Sequence, residues 1–231
     1  MDNGLAAKPN GGVMEKLHQI QNKLRDERSG KVIFLCHCLL NMNARYLGGA
    51  FRSSCVTEIV QGAIEREIGI VQMKCPEQYA WGGILKPLMW MAFESRNTLL
   101  YQMRMLFLPL FLLYTRLRYQ KTAKEVLREI LDYEKAGYEI IGIIGIDGSP
   151  SCGVNLRIDV KTAYDLYAAG LIRDLTRKDF NQSLYSKCLA EGNGIFIGEI
   201  KKGLNRRGKE IPFYSHSLLD EKDRKKTQFG R

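Results

Sequence analysis

The stretch Tyr138-Glu139-Ile140-Ile141-Gly142-Ile143-Ile144 limits what this chain can become more than any other part of it. Its apolar residues follow one another without alternation. That is the pattern of a strand buried on both faces, and such strands belong to parallel sheets. Parallel neighbours need crossover helices between them. The chain offers a helix, a glycine and a short apolar run, in that order, three times. The first helix covers 57–67 with Thr57 as N-cap and leads into a strand over 69–73. The second covers 121–136 and puts Ala123, Val126, Leu127, Ile130 and Leu131 on one face; Gly137 then passes the chain to the run above. The third opens on the capping pair Thr176 and Asp179 and aligns Phe180, Leu184, Cys188 and Leu189. It stops at Gly192-Asn193-Gly194 and leads into Ile195-Phe196-Ile197, read as a fourth strand. A polar helix over 14–27, with Leu17, Ile20 and Leu24 on one side, and a stop at Gly30 precede the first strand at 31–35. The expected fold is α/β: a Rossmann-like, mostly parallel sheet flanked by helices.

One segment lies outside this scheme. Residues 88–120 are rich in Met, Leu, Phe and Tyr, and their most apolar patch runs from Met105 to Tyr114. A bilayer span takes about 20 apolar residues, so this patch does not read as one. Pro109 would kink a helix here, and Arg104 and Arg116 bracket the patch. It is expected to be a buried helical insertion, either a lid over the site or the face of a homodimer, ahead of a hairpin on a membrane surface. The division of the chain is then a disordered N-terminus over 1–13, one α/β domain over 14–217 with its insertion at 88–120, and a charged tail over 218–231.

Charge and cysteine content narrow the setting. The formal charge is +10, with a concentration at Lys201, Lys202, Arg206, Arg207 and Lys209 and another at Lys222, Arg224, Lys225 and Lys226. This is a solvated surface, or an attraction to an anionic partner such as RNA, although no RNA-recognition motif accompanies it. The start of the chain lacks the charged-then-apolar pattern of a secretory signal, and the expected location is cytoplasmic. Six cysteines in a reducing compartment point to metal, catalytic or buried thiols rather than disulfides.

Three of the six follow predicted strands. Cys38 comes after 31–35, Cys75-Pro76-Glu77 after 69–73, and Gly145-Ile146-Asp147-Gly148-Ser149-Pro150-Ser151-Cys152-Gly153 after the central run. Ligands of open parallel sheets bind beyond the carboxyl ends of the strands, so a shared sheet would bring these thiols to one edge. Three thiolates suit zinc with a water, or an iron–sulfur cluster with one iron left open; three unrelated buried thiols are the plain alternative. Cys36 closes an apolar run and reads as core, His37 as a hydrogen-bonded residue, Cys55 as a bystander, and Cys188 as the inner face of a helix. No Gly-x-Gly-x-x-Gly follows the first strand, which disfavours a dinucleotide-dependent oxidoreductase.

Three blocks together carry a resemblance: Cys38-Leu39-Leu40 with Asn43, Arg45 and Tyr46; Cys75-Pro76-Glu77 with Gly82-Gly83; and Ser149-Pro150-Ser151-Cys152-Gly153. In this order the chain resembles the DUF523 family, which includes the thiouracil desulfidases. It departs from the commoner pattern at Asn41, where that pattern has Gly, and at Ala44, where a second cysteine is frequent. The 88–120 insertion and the basic C-terminal region are also outside the short form of the family. The resemblance implies a [4Fe-4S] cluster held by Cys38, Cys75 and Cys152; Ser151, next to Cys152, reads either as bonding to a cluster sulfide or as turn chemistry around Pro150. It implies Glu77 as acid–base group, Ser149 as the substrate-orienting hydroxyl, and non-redox removal of sulfur from a thiolated pyrimidine or similar thiocarbonyl compound. Other readings are a non-catalytic iron–sulfur or zinc sensor and a desulfidase acting on thiolated tRNA.

Overall fold

The computed structural model describes residues 11–169 and 172–217. Four strands form one parallel sheet in the order β2 (Gly69–Gln72), β1 (Lys31–Leu35), β3 (Glu139–Asp147) and β6 (Phe213–Ser217). The crossovers are α3 (Thr57–Glu65) from β1 to β2, α7 (Arg104–Lys135) from β2 to β3, and α10 (Ile195–Asn205) from β3 to β6. Right-handed crossovers place α3 on one face of the sheet and α7 and α10 on the other. The winding direction reverses between β1 and β3, so the crevice of this doubly wound sheet opens beyond the ends of those two strands. The predicted α/β fold with a parallel sheet is therefore what the chain adopts.

Why β1 and β3 sit in the middle follows from their side chains. Ile33, Phe34, Leu35, Ile143 and Ile144 are fully buried, with α3 contributing Ile59 and Ala63 from one side and α7 and α10 contributing Val126, Ile130, Phe196 and Ile200 from the other. A second apolar cluster joins α4 (Pro76–Trp81), α5 (Pro87–Phe93), α8 (Val160–Ala168) and α9 (Arg177–Lys187), with Trp81, Phe93, Tyr164, Tyr167 and Phe180 at its centre. The two clusters share α7. Its C-terminal half gives Ala123, Val126 and Ile130 to the sheet, and its N-terminal half gives Leu108, Phe111 and Tyr119 to the helical lobe. A two-stranded antiparallel ribbon, β4 (Leu156–Ile158) with β5 (Leu189–Glu191), lies between α8 and α9 and the sheet end.

The structure corrects the sequence reading in several places. Ile195-Phe196-Ile197 is the first turn of α10, not a strand; burial recurs at Phe196, Ile197, Ile200 and Leu204, a helical spacing that continues past the three residues taken for a strand. The fourth strand is β6, whose Tyr214-Ser215-His216 centre is too polar to announce a strand. Residues 121–136 are not a separate helix, because α7 runs unbroken from Arg104 through Pro109 to Lys135. Nor is the apolar insertion wholly buried: Leu106, Leu110, Leu113 and Leu117 face outward. Val56, not Thr57, is the N-cap of α3. The first helix, α1, spans Gly11–Lys23 rather than 14–27. Thr176 does cap α9, accepting from the Asp179 N–H at 3.2 Å and donating its hydroxyl to the Asp179 carboxylate at 2.6 Å. The expectations for 1–10 and 218–231 lie outside the described residues.

Candidate active site

Three strand ends build the site. After β1 the Cys36 N–H donates to the Ile144 carbonyl at 3.0 Å, and the chain then turns into α2 (His37–Leu40), which carries Cys38. After β2 the Met73 N–H donates to the Leu35 carbonyl at 2.8 Å. Cys75 then sits at the boundary of α4, with Pro76 at the first helical position, where its missing N–H costs nothing, and Glu77 in the first turn. After β3 the loop is tied by Asp147, whose Oδ1 accepts the N–H groups of Val154 (2.9 Å), Asn155 (2.8 Å) and Leu156 (3.2 Å). The N–H groups opening α10 hold the same loop, with Phe196 and Ile197 both donating to the Ser151 carbonyl at 3.1 and 3.2 Å. Close packing leaves no room for side chains at two glycines here. A Cβ on Gly145 would run into the Cys152 carbonyl, and one on Gly194 into the Ser151 carbonyl.

These loops meet around one cleft of about 460 Å³, its open mouth included, lined by His37, Cys38, Arg45, Tyr46, Cys75, Glu77, Ser149, Ser151 and Cys152 among others. The six predicted site residues are thus brought together from positions far apart in the chain. Cys75 and Cys152 are buried and Cys38 is half-buried. Burial pushes the Cys38 thiol up, with Cys152 adding to the rise and Arg45 opposing it. The Cys75 thiol is pushed up to about 12 by burial, then by the Glu77 carboxylate. The free Cys38 and Cys75 thiols therefore stay protonated until a positive group arrives.

The expected outsiders are only partly outside. Cys36 is buried in the sheet core, as predicted, and burial, then the neighbouring Cys152, raises its thiol. Cys55 lies off the cleft and Cys188 is buried in the helical lobe. His37 departs from its expected role. Its imidazole lines the cleft and forms no side-chain hydrogen bond among the described residues, and burial, then Lys86, lower its pKa.

Glu77 is the hub of the polar side. Its Oε1 accepts from the hydroxyls of Ser151 at 2.8 Å and Ser149 at 3.3 Å. The Ser149 oxygen in turn accepts the Cys152 N–H at 3.0 Å, and the Ser151 hydroxyl lies 3.3 Å from the Cys152 sulfur. Behind Glu77 is Lys86, whose side chain has no solvent exposure; its ammonium donates to the Ala44 carbonyl at 2.6 Å and stands 3.8 Å from Glu77 Oε2. Lys86 stands beside Glu77 and the buried Arg45 beside Cys38, so two cations flank the site and favour negative charge there. Tyr119, from α7, is fully buried with a hydroxyl that has no hydrogen-bond partner among the described residues. Burial, followed by the charges of Glu77, Cys75 and Cys152, raises its pKa, which places an unspent O–H donor near the thiols. α7 also fixes α4 itself: Trp81 Nε1–H donates to Thr115 Oγ1 at 3.1 Å, and Arg118 donates to the Tyr79 carbonyl at 3.1 Å.

Among the described residues, no three His, Cys, Asp or Glu side chains are grouped closely enough to bind one ion between them. A cubane cluster does not ask for that, since its cysteines ligate different irons. The donor set fits such a group: three thiols from three loops, two buried cations to balance thiolate charge, and an orphan phenol to meet a sulfide. Lys86 and Tyr119 were missed by sequence reasoning. The Gly82-Gly83 element marked the loop that delivers Lys86, but nothing local distinguishes a buried lysine from an exposed one, and Tyr119 lies in the 88–120 segment, read as a lid or a dimer face with none of its residues assigned to the site. No known protein family, curated protein or solved structure matches this chain.

Proposed function

We propose that this chain is a DUF523-type desulfidase, which replaces the sulfur of a thiolated pyrimidine or related thiocarbonyl compound with oxygen from water. The observation that supports this reading is the convergence of Cys38, Cys75 and Cys152 on one cleft in which Glu77 is hydrogen-bonded by both serines of the Ser149-Pro150-Ser151-Cys152 loop. A [4Fe-4S] cluster held by the three cysteines would supply Lewis acidity toward the substrate sulfur.

The protein's own groups do the proton work. The overall change consumes water and releases hydrogen sulfide, with no electron gained or lost. Glu77 takes a proton from the attacking water as the carbon–oxygen bond forms, and returns one as the carbon–sulfur bond breaks. Lys86 stabilises the Glu77 carboxylate before the first of these events and after the second, and Ser149, anchored through the Cys152 and Ser151 N–H groups, presents its hydroxyl to the pyrimidine ring. Ser151 holds Glu77 and the Cys152 sulfur in register. The six free cysteines agree with a reducing, cytoplasmic setting.

Iron, zinc and acid-labile sulfide in anaerobically purified protein, followed by sulfide release from 4-thiouracil and 2-thiouracil, test the proposal. Iron and sulfide in equal amounts with sulfide release are expected, lost together in Cys38→Ala, Cys75→Ala and Cys152→Ala and retained in Cys188→Ala. Glu77→Gln should keep the iron and lose at least ~100-fold in turnover. Stoichiometric zinc without sulfide, or a loaded protein inert toward every thionucleobase offered, overturns it.

A further inference from the structure

The outer face of α7 does what a folded core does not need. Leu106, Leu110, Leu113 and Leu117 are 66, 66, 53 and 56% exposed, although the opposite face of the same helix is fully engaged. At helical spacing the same stripe continues into Lys121, Lys124 and Arg128, all exposed. The face is therefore apolar at one end and basic at the other. Alongside it, between α7 and α10, Arg116, Arg157, Lys201 and Lys202 line one cleft, and Lys124, Arg128, Arg206 and Arg207 line the next. The acid common to both clefts is Glu199, which sits 3.4 Å from Lys202. Residues 95–124 contain Arg96, Arg104, Arg116, Arg118, Lys121 and Lys124 and no Asp or Glu.

We propose that this surface docks on an anionic lipid bilayer, with the leucine stripe in the acyl boundary and the basic clefts against the headgroups. Three occupants compete, and charge and chemistry separate them. A second copy, packed antiparallel about the stripe, would set Arg104 against Arg116 of its twin, with no acid in the segment to relieve the repulsion. A nucleic acid would use the cations, but single-stranded recognition stacks bases on aromatic rings, and the exposed stripe is aliphatic save for Tyr114. An anionic bilayer satisfies both halves at once. No helix among the described residues is long and apolar enough to cross a membrane, so the contact lies in the plane of the surface. The proposal is independent of the desulfidase chemistry.

Co-sedimentation of the full chain with unilamellar vesicles tests it. One set is pure phosphatidylcholine and the other about one third phosphatidylglycerol; binding is expected to the second and roughly 10-fold weaker or more to the first, and to fall as salt rises. Leu110→Glu with Leu113→Glu should abolish binding while circular dichroism and the thermal unfolding transition stay unchanged, since both side chains project from the fold. Lys124→Glu with Arg128→Glu should weaken binding and flatten its salt dependence. Any of three results overturns the proposal: a folded protein that ignores both vesicle types; a dimer by light scattering that the leucine variants dissolve, without vesicle binding; or salt-sensitive tRNA binding with none to vesicles.

Discussion

Lys86 has its whole side chain out of water, in the left-handed backbone region at φ 55°, where only the loop leading to Pro87 places it. A buried ammonium is tolerated only with partners, here the Ala44 carbonyl and Glu77. Lys86→Met keeps the volume but strands both partners, and should cost about 1–3 kcal/mol in urea unfolding. Combined with Glu77→Gln, the loss should be smaller than the sum of the two singles by at least ~0.5 kcal/mol, because one partner no longer needs the charge. Strict additivity would show that the pair does not interact. The residue scale is also where legibility was most uneven. That Cys38, Cys75, Glu77, Ser149, Ser151 and Cys152 would share one edge could be read from the chain because each follows a predicted strand. The Cys36 thiol next to Cys152, the buried Lys86 and the orphan Tyr119 hydroxyl could not, because each depends on which way a side chain points once the sheet has formed.

At the scale of elements, caps and amphipathic repeats placed helices without fixing all of their ends, as Thr57 and the 121–136 repeat show, and short apolar runs misled. Thr176 and Asp179 announced α9; three apolar residues at 195–197 announced a strand and delivered a helix, because the deciding positions, Ile200 and Leu204, lie beyond the run. The same helix offers a paired test of how the Cys152 loop is held. Gly198 has open space around it, with only Asn193 Cβ at 3.6 Å from an added methyl, whereas a methyl on Gly194 meets the Ser151 backbone. Gly198→Ala should therefore stabilise by about 0.5–1 kcal/mol through helix propensity, and Gly194→Ala should destabilise by about 1–3 kcal/mol and lower iron loading. Equal effects of the two variants would mean that the contact between α10 and the loop is not what shapes the site.

For the whole molecule the reversal of winding between β1 and β3 is what turns three distant cysteines into neighbours, with α7 backing the arrangement from the opposite side of α4. That reversal was readable only as far as the parallel sheet; the strand order depended on β6, whose polar sequence hid it. A group bound by all three loops would tie the segments at 38, 75 and 152 to one another, and anything that binds the folded chain and not the unfolded one stabilises it by mass action. Reconstitution with ferrous iron and sulfide to about 100-fold above the dissociation constant supplies ~2.7 kcal/mol, or a rise in Tm of roughly 5–10 °C for a chain of this size. Scanning calorimetry under nitrogen should show that rise in the parent protein and in Cys188→Ala, and none in Cys152→Ala. The three-way comparison matters because iron and sulfide also adhere to unfolded thiols, which lowers Tm rather than raising it. A rise that survives in Cys152→Ala would place the metal elsewhere on the chain, and the convergence of loops would then be a consequence of the sheet alone.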